Sequence, residues 1–348
     1  FVQPRWFGER LPAGPAVETC VSIPSDSRLA GPEISSEFPQ HSGFQNPESS
    51  TLFLYAEQGL GDTLQFVRYL PLVAARLPGV PMVLEVQPPV LRLIAGALDA
   101  GSATSLAGLP VQLIASGATP PEFTHHCPLM SLPSIFATTL ATVPAAIPYL
   151  RATAGEPRES PPRGEKSDPS TPTMSTMPNR LSVGIHWAGN PRYRADRERS
   201  TALSIFEPLL ALPGVRWVSL QKGPAARQID RLPPHLRPID SGSFDADLAD
   251  AAATIAGLDL VITTDSAVAH LAGALGKPLW LLLPWQSDWR WMQETEETPW
   301  YPTARLWRQA KPGDWAGLIE RVRRTLLFGP PFEASTFERQ RPDVLSRA

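Results

Sequence analysis

Short apolar runs alternate with stretches of helical period along most of this chain. TLFLYA (51–56) and PMVLEV (81–86) read as buried strands, and between them Asp62 to Leu77 carries a helical pattern interrupted at Pro71. The alternation returns further on. LSVGIHW (181–187), VRWVSL (215–220), LDLVIT (258–263) and PLWLLL (278–283) are strand-like, with helical stretches near 204–212, 245–256, 266–275 and 313–327. Strands spaced by helices predict parallel α/β sheets. Three stretches lack this pattern. Residues 12–50 are rich in Pro, Ser, Gly and Glu and read as a loop or disordered insert; Arg151 to Arg180 holds no Leu, Ile, Val or aromatic residue and reads as a linker; the residues after Phe328 are similar. The expected division is therefore 1–50 junction and insert, 51–150 and 181–328 two Rossmann-like α/β domains, 151–180 a low-complexity linker, and 329–348 a tail. Two such domains face each other across a central cleft, and ligands of such sheets sit beyond the carboxyl ends of the strands.

Composition narrows the function classes. The 348 residues leave room for two domains of roughly 150 each, and 43% are hydrophobic, enough for sizeable cores. Lys and Arg total 31 against 34 Asp and Glu, without the basic excess that a nucleic-acid or anionic-membrane surface needs. The longest clear apolar run, Leu279 to Trp285, is strand-length and far short of the roughly 18 residues of a membrane span; the expected location is the cytoplasm. Two cysteines, Cys20 and Cys127, supply neither a disulfide framework nor a multi-thiolate metal site. Proline, at 40 residues, is about twice its ordinary usage. The opening Phe1 fits a piece or processed product of a longer protein.

The chemistry gathers at strand ends. AEQGLGDTLQ (56–65) follows the first strand, and Gly59 and Gly61 permit close backbone approach ahead of a helix N-terminus. Leu64 stands where a dinucleotide fingerprint has its third glycine, which argues against that cofactor. Asp62, Gln65 and Tyr69 share one side of this helix, and Thr63, Phe66, Val67, Leu70 and Val73 the other. Asp62 fits two roles: a first-turn cap, or a carboxylate aimed into the cleft as a general base. A second passage, LVITTDSAVAHLAGALGKP (260–278), has Asp265 or Ser266 as cap, Gly276 past its end and Pro278 as stop. Val268, Leu271, Ala272 and Leu275 form its core stripe. Ser266, Ala269, His270 and Gly273 make the opposite face almost entirely small, so something packs there, either the partner domain or a nucleotide phosphate with His270 one turn behind.

Two further loops complete the set. HWAGNPRYRADRERS (186–200) holds Asn190, Arg192, Arg194, Arg197, Arg199 and Ser200, of which most arginines are surface and one or two fit a phosphate. Lys222, in SLQKG (219–223), sits just past a strand end and is a phosphate ligand or a surface lysine. Seven of the ten tryptophans lie from Trp280 to Trp315; Trp285, Trp289 and Trp291 are packing residues, with one or two of them lining a site. No Walker A, G-x-S-x-G, H-E-x-x-H or C-x-x-C motif occurs, and His125, His126 and Cys127 lack convincing further metal ligands.

AEQGLGDTLQFVRYLP (56–71), CPLMSLP (127–133), VGIHWAGNP (183–191), SLQKG, TDSAVAHLAGALGKP (264–278) and PWQSDWRWM (284–292) together resemble the GT-B glycosyltransferases of family 9, the heptosyltransferase-like group. The closer likeness is to a bacterial branch fused behind tetratricopeptide repeats, with PRWFGERL at the start similar to the junction after the repeats. That resemblance implies a repeat domain outside this sequence and an inverting, metal-independent transfer of a sugar from a nucleotide-diphosphate donor, with no cofactor. It implies Asp62 as base, and Asp265, Ser266, His270, Lys222 and Asn190 as donor ligands. Glu57, Gly59, Gly61 and Gln65 belong to the glycine loop and acceptor side, and Arg199, Asp288 and Trp289 line the cleft. The expected acceptor is a glycan, lipopolysaccharide or protein. The cysteine cluster of the related iron-containing enzymes has no counterpart in two cysteines. Alternatives from other classes are a non-catalytic module that binds sugar nucleotide or protein, and a nucleotide-sugar hydrolase or epimerase.

Overall fold

A computed structural model describes residues 50–152, 181–193 and 196–328; the insert, most of the linker, the tail, Cys20 and Arg194 lie outside the described residues. The elements in chain order are β1 (Leu52–Tyr55), α1 (Leu60–Phe66), α2 (Leu70–Arg76), β2 (Met82–Val86), α3 (Pro88–Leu98), β3 (Val111–Ala115), β4 (His125–Pro128) and α4 (Leu132–Ile135). Then follow β5 (Leu181–His186), α5 (Asp196–Arg199), α6 (Glu207–Leu210), β6 (Val215–Ser219), β7 (Ile239–Asp240), α7 (Leu248–Ala256), β8 (Leu260–Thr264), α8 (Ala267–Ala274), β9 (Leu279–Leu283), β10 (Ala304–Arg308) and α9 (Trp315–Phe328).

Two all-parallel sheets result, ordered β3-β2-β1-β4 and β10-β9-β8-β5-β6-β7. The α/β class with parallel sheets is as predicted. In each sheet the winding reverses beside its first strand, between β1 and β4 and between β5 and β8, and these switch points open a crevice at the strand ends. The strands read from apolar runs are present within a residue or two. Those missed carry little apolar signal: β4 is HHCP, β10 is ARLWR, and β3 is a half-buried edge strand. The break predicted at Pro71 falls three residues earlier, where 67–69 form a 3-10 turn. Pro71 instead sits in the first turn of α2, where its missing N–H is not needed. The stretch 204–212 tightens likewise into a 3-10 turn followed by the short α6. Gly276 takes the left-handed conformation, φ +68, that ends α8.

The side chains of the six-stranded sheet alternate between two cores. Val183, Ile185, Leu260, Ile262, Trp280 and Leu282 face one, with Phe206, Leu318 and Val322. Val218, Val261, Leu279, Leu281 and Leu283 face the other, which runs without interruption into Leu54, Phe66, Leu84 and Leu93 of the four-stranded half. The two halves are therefore packed on each other. Helix α1 lies against α8, and the N–H groups of Tyr149 and Leu150, in the crossing segment, both donate to the carbonyl of Ala274 (3.1 and 3.2 Å).

Arg68, in the 3-10 turn, is the polar centre of that interface. Its Nε donates to the Gln65 carbonyl (2.8 Å), Nη1 to the carbonyls of Pro144 (3.2 Å) and Trp300 (2.6 Å), and Nη2 to the Tyr149 hydroxyl (2.8 Å). The guanidinium also lies over the rings of Tyr149, Tyr301 and Trp300 at 4.5 to 5.6 Å. Replacing this 3% exposed side chain leaves several buried acceptors unpaired. Arg68→Met is expected to cost about 3 kcal/mol and to lower the melting temperature by about 6 °C or more. The comparison is Arg92→Met, which loses an exposed pair to Asp247 and Asp250 and is expected to cost under about 1 kcal/mol. Equal melting shifts would mean that Arg68 does not anchor the interface.

Candidate functional site at the facing switch points

In the four-stranded half the chain leaves β1 and reaches α1 through Glu57 and Gly59. Glu57 Oε1 accepts the Met130 N–H (3.1 Å), bridging the β1 and β4 ends. Gly59 is the extended N-cap residue, and its N–H donates to Asp62 Oδ2 (3.1 Å). Asp62 thus does cap its own helix. Its other oxygen, Oδ1, accepts from Arg290 Nη2 of the opposite half. Burial pushes the Asp62 carboxyl upward, the Arg290 charge opposes that, and Asp288 adds to it. Glu57 is also raised, chiefly by burial, with Asp62 as its acidic neighbour. Gln65 and Tyr69, the polar side of this helix in the sequence, are both fully buried, Gln65 against Arg290 and Tyr69 against Phe136 and Thr138.

In the six-stranded half, His186 ends β5 directly opposite Thr263 of β8. Thr263 Oγ1 donates to the Thr264 carbonyl (2.9 Å), so toward its other neighbours it is an acceptor. Those neighbours are His186 Nδ1 and Ser266 Oγ, both at 3.4 Å, and the two lie 3.2 Å from each other. Burial pushes the His186 imidazole down to about 3, keeping it neutral. Ser266 holds the N-cap position of α8, yet its side chain makes no cap bond; its hydroxyl points inward to His186 instead. Neither the capping role expected of Ser266 nor one for Asp265 is filled by a side-chain bond there. Asp265 is buried, which pushes its carboxyl up to about 6 against the opposing charge of Arg199.

The small face of α8 is filled by protein. His270 Nδ1 pairs with the Tyr301 hydroxyl (2.8 Å) and its ring lies 5.3 Å from that of Trp291; burial holds it neutral. A Cβ at Gly61 would sit 2.7 Å from His270 Cδ2, and one at Gly273 would sit 2.3 Å from the Tyr301 ring. The opposite half, through Gly61, and Tyr301 of the same half both pack against this face. Asn190 and Lys222 meet elsewhere, along a cavity of about 500 Å³ that also has Gly189, Asp196 and Gln228 in its wall. Asn190 Oδ1 accepts the Arg192 N–H (3.0 Å), and Lys222 Nζ donates to the Asp245 carbonyl. Arg199 lies over the Tyr193 ring (4.6 Å) with Nε 3.4 Å from Asp196 Oδ1.

Sequence reasoning passed over Arg290. Its Nε donates to Gln65 Oε1 (2.6 Å), Nη1 to Asp288 Oδ1 (2.9 Å) and Nη2 to Asp62. The tryptophans on either side of it drew attention as aromatics. Trp291 proves fully buried, while Trp285 and Trp289 are about half exposed, Trp289 lying under the Arg290 guanidinium (4.6 Å). His186 was missed too, since a histidine closing an apolar strand carries no pattern. Among the described residues no group of three or more His, Cys, Asp or Glu is placed to hold a metal, and no helix is long and apolar enough to cross a membrane.

Residues 245–282 match the sequence model of glycosyltransferase family 9 (heptosyltransferase). The match runs from the approach to α7 into β9 and contains Asp265, Ser266 and His270. Protein FlbA of Caulobacter vibrioides is 34% identical over 149 residues, 41% of this chain and 24% of FlbA; the chain spans about a quarter of that relative. Among solved structures, E. coli ADP-heptose lps heptosyltransferase II has 13% identity and a TM-score of 0.47, over 80% of this chain and 97% of that one. The glycosyl transferase family 9 protein of Veillonella parvula has 12% identity and a TM-score of 0.47, over 84% and 97%. The family 9 likeness thus rests on the second half of the chain.

The neutral, buried His186 has a consequence for acid stability. In the unfolded chain it binds a proton below about 6.5, whereas in the fold it does so only near 3. Between these values the unfolded state holds the extra proton, so folding free energy from this group falls as pH falls, by about 1.4 kcal/mol per pH unit. Asp265, raised to about 6, acts with the opposite sign between its unfolded value and 6, so total stability conceals the effect. The difference between wild type and His186→Asn isolates it: denaturant titrations from pH 7 to pH 4 are expected to show wild type losing ground on the variant as pH falls. A pH-independent difference would mean that His186 takes up its proton in the fold as readily as in the unfolded chain.

Proposed function

We propose that this protein is a family 9 glycosyltransferase that moves a sugar from a nucleoside-diphosphate donor to an acceptor hydroxyl with inversion. The observation that carries the reading is the meeting of two motifs from opposite halves. The Gly59–Asp62 loop abuts the start of α8 so closely that Gly61 faces the His270 ring.

In the proposed reaction Asp62 takes the proton of the acceptor hydroxyl. The acceptor oxygen attacks the anomeric carbon from the face opposite the diphosphate, and the carbon–oxygen bond to the diphosphate breaks with its electron pair leaving on phosphate. A half-buried carboxylate raised by desolvation is a stronger base than one in water. On the donor side, α8 presents N–H groups that no side chain caps, a fixed source of positive potential for a departing anion. Asp265, Ser266 and His270 surround that helix start. Lys222 and Asn190, in their cavity past β5 and β6, are assigned to the phosphates and the nucleoside. The reading includes no metal, the positive charge coming from Lys222 and Arg199. The acceptor is a glycan, lipopolysaccharide or protein, and a repeat domain beyond this sequence is proposed to select it.

The test is a thermal-shift panel of ADP-, UDP-, GDP- and dTDP-sugars and the free diphosphates, with and without magnesium. One base family is expected to stand out in both conditions, with about 2.7 kcal/mol of stabilisation at a hundred times its dissociation constant. Asp62→Asn is expected to keep that shift while losing about 10²- to 10⁴-fold in transfer. Normal transfer by Asp62→Asn sinks the mechanism, and no shift from any nucleotide favours a non-catalytic binding module instead.

A further inference from the structure

Arg290 is built to hold one orientation. It leaves the loop after β9 at the second half and crosses to α1 of the first, where it is 8% exposed. Two bonds fix the guanidinium before it reaches Asp62: Nε to Gln65 Oε1 and Nη1 to Asp288 Oδ1. Two rings hold its plane, Trp289 at 4.6 Å and Phe66 at 5.7 Å. Asp288 in turn accepts the Arg290 backbone N–H (3.0 Å), so the loop is wound to aim this side chain. Gln65 spends its carbonyl oxygen on Arg290 while its Nε2, fully buried, has no partner among the described residues. Leaving a buried amide unpaired is costly, and a surface built for stability alone does not need it. We infer that Arg290 is the positioning residue of the Asp62 carboxylate, reaching across the cleft to hold it, so that the base is set only while the two halves are closed on each other.

This inference rests on the proposed reading of Asp62 as the base. The groups acting on that carboxylate are Glu57 from the loop before α1 and Asp288 and Arg290 from the loop after β9; α8, packed on α1, carries the neutral His270. Arg290 is the one cation among them, and opposes both the burial and the acidic neighbours. Its loss moves the carboxyl upward, and with it the pH above which the base is available.

The experiment compares wild type, Asp62→Asn, Arg290→Met and Arg290→Lys. Asp62 is titrated by carboxyl carbon NMR, assigned through Asp62→Asn. Diphosphate release is followed across pH with the nucleotide sugar that gives the largest thermal shift in the panel, water serving as acceptor. Arg290→Met is expected to raise the Asp62 midpoint by about one to three pH units and to move the acid limb of the rate profile by the same amount. It is expected to lower kcat at least about tenfold with KM for the donor within about threefold. Arg290→Lys is expected to recover part of the rate, and it carries the test if Arg290→Met does not fold. An unmoved midpoint, or a moved midpoint with unchanged kcat and pH profile, overturns the role of Arg290 alone, provided that Asp62→Asn abolishes release. Wild-type release by Asp62→Asn, or none from wild type, overturns the base assignment and the inference with it.

Discussion

Burying the Arg68 guanidinium between the two halves requires that every acceptor around it be held in advance. A cation withdrawn from water is tolerated only where fixed dipoles replace the lost hydration, and here the dipoles come from three separated places. The Gln65 carbonyl belongs to the end of α1, those of Pro144 and the Tyr149 hydroxyl to the crossing segment, and that of Trp300 to the loop before β10. Tyr149 also donates to the Leu64 carbonyl (2.9 Å), which ties the crossing segment back to α1. With those points fixed, the approach of α1 to α8 is fixed too. That approach explains why position 61 has no room for a side chain against His270.

The same enclosure sets the charge state of the site. Both imidazoles, His186 and His270, are neutral because burial outweighs everything else acting on them, and the nearby arginines push in the same direction. The carboxyls are raised for the same reason, but for Asp62 and Asp265 the arginines push the other way. Arg290 acts on Asp62, Asp265 and His270, and Arg199 on Asp265, His186 and His270. Arg68 also acts on His270, so three guanidiniums bear on the acids and imidazoles between one switch point and the other.

The sequence and the structure agree most where a pattern has one physical cause. Buried parallel strands need uninterrupted apolar runs, so β1, β2, β5, β6, β8 and β9 were legible. β10, with arginines at both ends of its run, and the polar β4 were not. At the site, the small face of α8 announced that something lay against it, and residue spacing has no means of choosing between a helix and a ligand. Ser266 looked like a cap because Ser precedes a helix, but the hydroxyl has a competing partner 80 residues earlier in His186. Arg290 was hidden by its neighbours. An arginine between two tryptophans reads as part of an aromatic cluster, and its bonds to Asp62 and Gln65 span more than 220 positions.

A doubly wound sheet offers one favoured crevice, and this chain has two such sheets turned toward each other through α1 and α8. Each crevice alone carries an incomplete set: acids and glycines on one side, imidazole, hydroxyl and a helix start on the other. The contacts that join them are polar and buried, which makes them strongly dependent on distance and orientation. Opening the halves by even a few ångströms exposes Arg68 and Arg290 to water and separates Asp62 from its cation. The interface that stabilises the fold is thus also what completes the site. Bringing the two crevices together and fixing the conformation are one step in a chain built this way, because the same buried polar contacts do both.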